Sequence, residues 1–145
     1  MKPVVVDTSV HISSEVFASA GSPAKEVLAR GFDRHFEFVT SDALIEEITR
    51  TLVSSGAPAD DVAEYVGRLM AVARDLGDVD IAGVECDDPD DRFVVALARA
   101  AEAWCVVAYD DALLGDDRVP PGWKPGPFLF KLREERGEPR DQRYP

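Results

Sequence analysis

Cysteine is scarce in this 145-residue chain: Cys86 and Cys105 are its only two, with no CxxC pair and no spacing suited to zinc. A disulfide scaffold, a zinc ribbon and dithiol redox chemistry are therefore excluded, and both thiols are expected reduced, in or near the core. Histidine is equally rare. His11 and His35 stand alone and read as polar fillers rather than ligands. Long apolar runs are missing too, since no stretch approaches the roughly 20 residues that span a bilayer. The N-terminal run Pro3-Val4-Val5-Val6 is too short for a signal peptide and meets Asp7 at once, so the expected location is the cytoplasm, with no membrane partner. Lysine is absent between Lys25 and Lys124.

What the chain has in excess is acid. Its net charge is −12, which argues against nucleic acid binding if charge is taken alone, because phosphate contacts need Lys and Arg. The distribution weakens that objection. Residues 1–117 carry 9 basic and 24 acidic side chains, a net of −15, whereas residues 118–145 carry 7 and 4, a net of +3. An acidic body attracts cations, and a basic tail suits a phosphate backbone or an acidic partner. The length fits one domain, 1–145, able to bury about 70% of its unfolded surface, with a basic tail over 136–145 expected to fray.

Residues 3–7 form a β-branched run without alternation, the pattern of a central strand buried on both faces. A helix is expected over about 14–30, with a possible break at Gly21, because Ser22-Pro23 supplies a cap and a first-turn proline. Phe36–Thr40 reads as a second strand, after which Ser41 caps a helix with Leu44, Ile45, Ile48 and Leu52 at helical spacing. Another helix runs from Pro58 to Arg74, and Gly77 ends it. In Cys86-Asp87-Asp88-Pro89-Asp90-Asp91-Arg92-Phe93, Asp88 is a good cap for a helix reaching Ala103. Trp104–Ala108 is a strand ending at Tyr109-Asp110-Asp111. Two proline-glycine turns, at 120–122 and 124–127, precede a last helix over Phe128–Arg136. Strands alternating with helices predict a parallel, doubly wound α/β sheet with right-handed crossovers.

In such a sheet, ligands bind beyond the carboxyl ends of the strands where the strand order reverses, beside strand one. Asp7 and Asp110 both follow strand ends. Glu47 lies just past strand two, and Asp91 in the first turn of a helix returning to the sheet. Converging carboxylates repel one another unless a cation compensates, and oxygen ligands without His or Cys favour Mg²⁺ or Mn²⁺. Each acid also has a purely structural reading. Asp110-Asp111 fits an Asx turn or cap, Glu46 fits the site as well as Glu47 does, Asp88 fits a cap, and Asp91 complements a helix dipole.

Four segments together resemble the PIN-domain family, including the toxin ribonucleases of VapC-like toxin-antitoxin pairs. They are Val5-Val6-Asp7-Thr8-Ser9-Val10, Ser41 through Ile48, Asp88-Pro89-Asp90-Asp91 continuing to Ala98, and Val106 through Leu114; the likeness extends from Val4 to about Leu132. The resemblance implies a three-layer α/β/α sandwich with a central parallel sheet. It implies Asp7, Glu47, Asp91 and Asp110 as metal-binding and catalytic acids, and Mg²⁺- or Mn²⁺-dependent endonucleolytic cleavage of RNA. It also implies a cognate antitoxin protein and, as in many of the family, a homodimer.

The departures are specific. Ser9 stands where Asn is common and keeps a hydrogen-bonding side chain beside the first acid. Ala108-Tyr109 replaces Thr/Ser-Gly, and Ala112 replaces a frequent acid that neighbouring Asp111 partly substitutes; Asp88 and Asp90 are candidate outer-shell acids or alternative ligands. Two other readings stand beside this one, the first motivated by Ala108, Tyr109 and Ala112 and the second by the acidic pocket at the strand ends. One is a PIN-like module without catalysis. The other is a receiver-like phosphoacceptor domain, which the missing lysine and Ala108 disfavour.

Overall fold

The computed structural model describes residues 1–13, 21–114 and 120–139, apart from the side chain of residue 112. Five strands, β1 (Pro3–Val6), β2 (Glu37–Thr40), β3 (Arg74–Asp75), β4 (Cys105–Val107) and β5 (Gly122–Trp123), form one sheet in the order β3-β2-β1-β4-β5. Every pairing is parallel. Helices α1 (Thr8–Ile12), α2 (Pro23–Phe32), α3 (Asp42–Ser54), α4 (Ala59–Val72), α5 (Arg92–Ala100), α6 (Asp111–Leu114) and α7 (Pro125–Arg136) connect and flank the strands. The expected α/β/α sandwich with a parallel central sheet is thus the observed one.

The sheet's centre is dry. Val4, Val5, Val6, Cys105, Val106 and Val107 are all at most 1% exposed, as strands covered on both faces require. Against them pack Leu44, Ile48 and Leu52 of α3, Val94 to Ala98 of α5, and Phe128, Leu129 and Leu132 of α7. Each large apolar side chain fully buried here contributes roughly 1.5–3 kcal/mol relative to exposure. Burial also explains the thiol of Cys105, whose pKa is pushed far up because an apolar surrounding disfavours the thiolate.

Local chemistry sets the helix starts. The Ser22 hydroxyl accepts from the Lys25 N–H at 3.2 Å ahead of Pro23, and the Ser41 hydroxyl accepts from the Leu44 N–H at 3.3 Å. His11 fits its reading as a polar filler. It is fully buried, with Nε2 donating to the Val6 carbonyl at 3.2 Å and Nδ1 accepting from the Tyr65 hydroxyl at 2.5 Å. Desolvation lowers its pKa to about 4, so the ring is neutral. His35 accepts from the Arg30 guanidinium at 2.9 Å.

Several expected boundaries shift. The helix expected over 14–30 appears as α2 from Pro23, residues 14–20 lying outside the described residues, and a short helix α1 follows Asp7 directly. The helix expected to reach Arg74 stops at Val72, because Ala73 turns to an extended conformation and Arg74–Asp75 pair with Val39–Thr40 as β3. The helix expected to reach Ala103 stops at Ala100, two residues before Glu102 takes a positive φ of 50°. Part of the segment read as turns is edge strand β5, and Pro125 is already the first residue of α7. Past Gly137, in the left-handed conformation at φ 69°, Glu138 is held by Arg30 at 2.8 Å and by Arg136 at 2.7 Å.

Gly31, on α2, faces the rings of Phe38 and Phe36 so closely that a Cβ would collide with both, at 2.9 Å from Phe36 Cζ. Alanine normally favours a helix interior over glycine. Here the sign reverses: Gly31→Ala should cost about 1–3 kcal/mol through overpacking, measured by urea unfolding, and a stabilised variant would contradict this packing.

Candidate metal centre

The chain crosses from the β2 side of the sheet to the β4 side next to β1, and the carboxyl ends of β1 and β4 open the crevice where such folds bind ligands. Asp7 begins that edge. Its N–H donates to the Val107 carbonyl at 2.9 Å, carrying the β1–β4 ladder one residue past the strand. Its carboxylate caps α1, with Oδ2 accepting from the Ser9 N–H at 3.2 Å and from the Ser9 hydroxyl at 2.7 Å. Ser9 Oγ in turn accepts the Tyr109 N–H at 3.2 Å. One hydroxyl thus fastens the start of α1 to the end of β4, and Asp7 remains only 9% exposed.

Asp88, Asp91 and Asp110 form the densest acidic cluster: each offers a carboxylate oxygen, and these oxygens lie within 4.8 Å of one another. Asp88 and Asp91 meet because a 3-10 turn, Pro89–Asp91, separates them, and side chains three residues apart eclipse in that geometry. The turn is fixed by Asp88, whose Oδ1 accepts from the Asp90 N–H at 3.0 Å. Asp91 shares a hydrogen bond with Asp110, while its other oxygen, Oδ2, is buried with no hydrogen-bond partner among the described residues. Desolvation first, then the bond to Asp110 and the charges of Asp110, Asp88 and Asp7, push the Asp91 pKa up to about 7.

Glu47 borders this cluster. The Thr8 hydroxyl donates to its Oε2 at 3.2 Å. Partial burial, reinforced by the charges of Asp7 and Asp90, raises its pKa against the opposing effects of Thr8 and Arg50. With Ala43, Glu46, Arg50, Asp90 and Phe93 it lines a groove of about 480 Å³. Glu46 is the solvated member of the Glu46-Glu47 pair, its side chain 77% exposed and 4.0 Å from Arg50.

Of the acids singled out in the sequence, the structure therefore gathers Asp91 and Asp110 with Asp88. Asp7 and Glu47 lie beside them, close enough for the charge of Asp7 to act on both Asp91 and Glu47. Asp90 belongs to the Glu47 groove. Asp111 is exposed and paired with Lys124 at 3.2 Å. The signal that Asp88 is more than a cap was its three-residue spacing from Asp91 across a proline-initiated turn. The tail's described bases are likewise engaged within the chain: Lys124 with Asp111, Lys131 with Glu134, Arg133 with Glu26 and Arg136 with Glu138.

The donor set fits a hard divalent cation. Its ligand atoms are all carboxylate oxygens, one is buried without a partner among the described residues, and desolvation together with the neighbouring carboxylates raises the Asp91 pKa to about 7.

A parallel α/β/α sandwich with acids converging at its switch point defines a class of protein with an acidic crevice able to hold a cation. Within that class, the PIN domain matches this chain over residues 3–112, and the chain belongs to the PIN-domain family. Its fold is similar to that of VapC20 from Mycobacterium tuberculosis, a sarcin-ricin loop cleaving toxin. That likeness has a TM-score of 0.57 at 20% identity and covers 81% of this chain and 99% of that one. No curated protein matches the chain.

The raised pKa of Asp91 has a stability consequence. Between the ordinary aspartate value and about 7, the folded protein binds a proton that the unfolded chain does not, so stability is present at low pH and lost as pH rises through about 7. His11, with its lowered pKa, acts in the opposite sense below the ordinary histidine range. Comparing the wild type with Asp91→Asn in EDTA cancels the histidine contribution. The wild type should lose stability relative to the variant from about pH 4 to about pH 7 in thermal melts and run parallel to it above; a constant difference across that window would mean that Asp91 titrates as an ordinary carboxylate.

Proposed function

We propose that this chain is a Mg²⁺- or Mn²⁺-dependent endoribonuclease, the toxin component of a toxin-antitoxin pair acting in the cytoplasm. The observation that carries the reading is the Asp88–Asp91–Asp110 cluster with its unpartnered buried Oδ2, set at the switch point beside Asp7 and Glu47. Family membership supports a nuclease, and the likeness to a toxin that cleaves the sarcin-ricin loop supports RNA as the substrate. No helix among the described residues is long and apolar enough to cross a membrane.

In this reading Asp91 and Asp110 hold the cation, with Asp7 and Asp88 as further carboxylates of the same site. Bound there, a divalent cation supplies charge compensation and Lewis acidity toward a phosphodiester. The protein's own groups do the rest. Asp7 is fixed by Ser9 in one rotamer, so its unshared oxygen is directed without reorganisation. Glu47, oriented by Thr8, has a pKa raised by partial burial, which makes it a stronger base than a solvated carboxylate and suits it to orient a water and accept its proton. Crowded acids also exclude a substrate phosphate until cation charge is present, which makes cleavage conditional on the metal. A cognate antitoxin restrains this activity, most simply by covering the acidic crevice.

Asp91→Asn and Asp7→Asn should each reduce Mn²⁺-dependent cleavage of RNA by about a hundredfold or more, since even outer-shell changes at metal sites cost 10- to 100-fold. Mn²⁺ at about 100 times its Kd should stabilise the wild type by about 2.7 kcal/mol in thermal melts, and Asp91→Asn should lose that gain. Wild-type melts unmoved by Mg²⁺ or Mn²⁺ would favour the non-catalytic module instead. Phosphoryl transfer to the chain from a small phosphodonor would favour the phosphoacceptor reading.

A further inference from the structure

We infer that Tyr109 is a stacking platform for an unpaired RNA base beside the acidic cluster, so that it positions single-stranded substrate; the inference rests on the ribonuclease reading above. Tyr109 is the only aromatic residue among the described residues that is exposed, at 39%, whereas every other described ring is buried or half-buried. Its backbone is fixed on both sides. The fully buried Ala108 before it donates to the Trp123 carbonyl at 3.1 Å, and Asp110 after it is a member of the carboxylate cluster. Its own N–H is held by Ser9 Oγ, the atom that also holds Asp7. An exposed ring on so constrained a backbone loses little conformational freedom when a flat partner stacks on it.

Electrostatics points to the same partner. A phosphodiester approaching this edge meets Asp7, Asp88, Asp91 and Asp110, and Lys124, which follows β5, is already paired with Asp111. A contact that does not rely on positive charge is therefore the effective one. Stacking of bases on aromatic side chains is independent of base identity and requires an unpaired base, which double-helical RNA does not offer. The bulk that Tyr109 places beside the site thereby becomes part of substrate binding.

The test uses the full chain with Mn²⁺ and fluorophore-labelled RNAs, both unstructured and stem-loop, with Tyr109→Ala and Tyr109→Phe as variants of verified melting temperature. Tyr109→Ala should raise KM about tenfold with little change in kcat, and Tyr109→Phe should restore it. The loss should persist at higher salt, because no phosphate contact is removed. Abasic nucleotides walked across the scissile bond should reveal one position at which the wild type and Tyr109→Ala become equal. A KM unchanged by Tyr109→Ala, or a faster Tyr109→Ala enzyme, would overturn the stacking role while leaving the ribonuclease reading intact. A wild type that cleaves none of these RNAs with Mn²⁺ or Mg²⁺ would overturn that reading, and this inference with it.

Discussion

The parallel pairing of β1 with β4 is the constraint on which the rest depends. Its register, Val4 with Cys105, Val5 with Val106 and Val6 with Val107, ends both strands at one level, and the Asp7 N–H extends it by one bond. Inside that level every side chain is apolar and almost wholly buried, so an uncompensated charge cannot be accommodated there. Polar function therefore begins where the strands end. From that line the chain leaves as α1 on one side and as Tyr109-Asp110 followed by α6 on the other, and the Ser9 hydroxyl joins the two departures.

The acids brought to this edge are held against their own repulsion. Local hydrogen bonds hold Asp7 and Asp88, but they do not remove the strain: Asp91 keeps a buried oxygen without a partner among the described residues, close to Asp88 across a 3-10 turn. The energy that keeps them together comes from elsewhere, from α3 and α5 packed on the sheet and from caps such as Ser41. The site stores unfavourable electrostatics that the core offsets, as functional sites commonly do. The hydrogen bond between Asp91 and Asp110 relieves it in part, and a cation can relieve it further.

Much of this was legible in the sequence because strong, redundant signals carried it. The unbroken β-branched runs at Val4–Val6 and Cys105–Val107 announce strands buried on both faces, and Ser22-Pro23 and Ser41 announce helix starts. The edge strands β3 and β5 were not legible. Each is two residues long, Arg74–Asp75 is exposed and polar, and Gly122–Trp123 lies among prolines, so pairing with a neighbour, which is a tertiary fact, makes them strands. The site divides in the same way. Asp7 was readable from its place after a strand, and Glu47 from its helix, but the choice between Glu46 and Glu47 depended on Thr8. Asp88 reads as a cap and is one; that it also faces Asp91 follows from a 3-10 rather than an α-helical first turn, a difference that propensity does not encode. Asp111 looked interchangeable with its neighbours until Lys124 claimed it.

Charge acquires local partners that the sequence does not announce. A tail of net +3 after a body of net −15 suggests a handle for phosphate. Its described bases instead meet acids of the same chain, and the largest of these links, Arg133 to Glu26 and Arg136 with Arg30 to Glu138, tie α7 to α2. Over the described residues this positive charge is thus paired within the chain. The cation's hold is in turn coupled to protons, because Asp91 must give up its own before both its oxygens are available, and metal affinity should climb with pH until about 7. In the proposed function, proton, cation and phosphodiester compete for, or depend on, the same few oxygens, so that binding any one of them alters the terms on which the others bind.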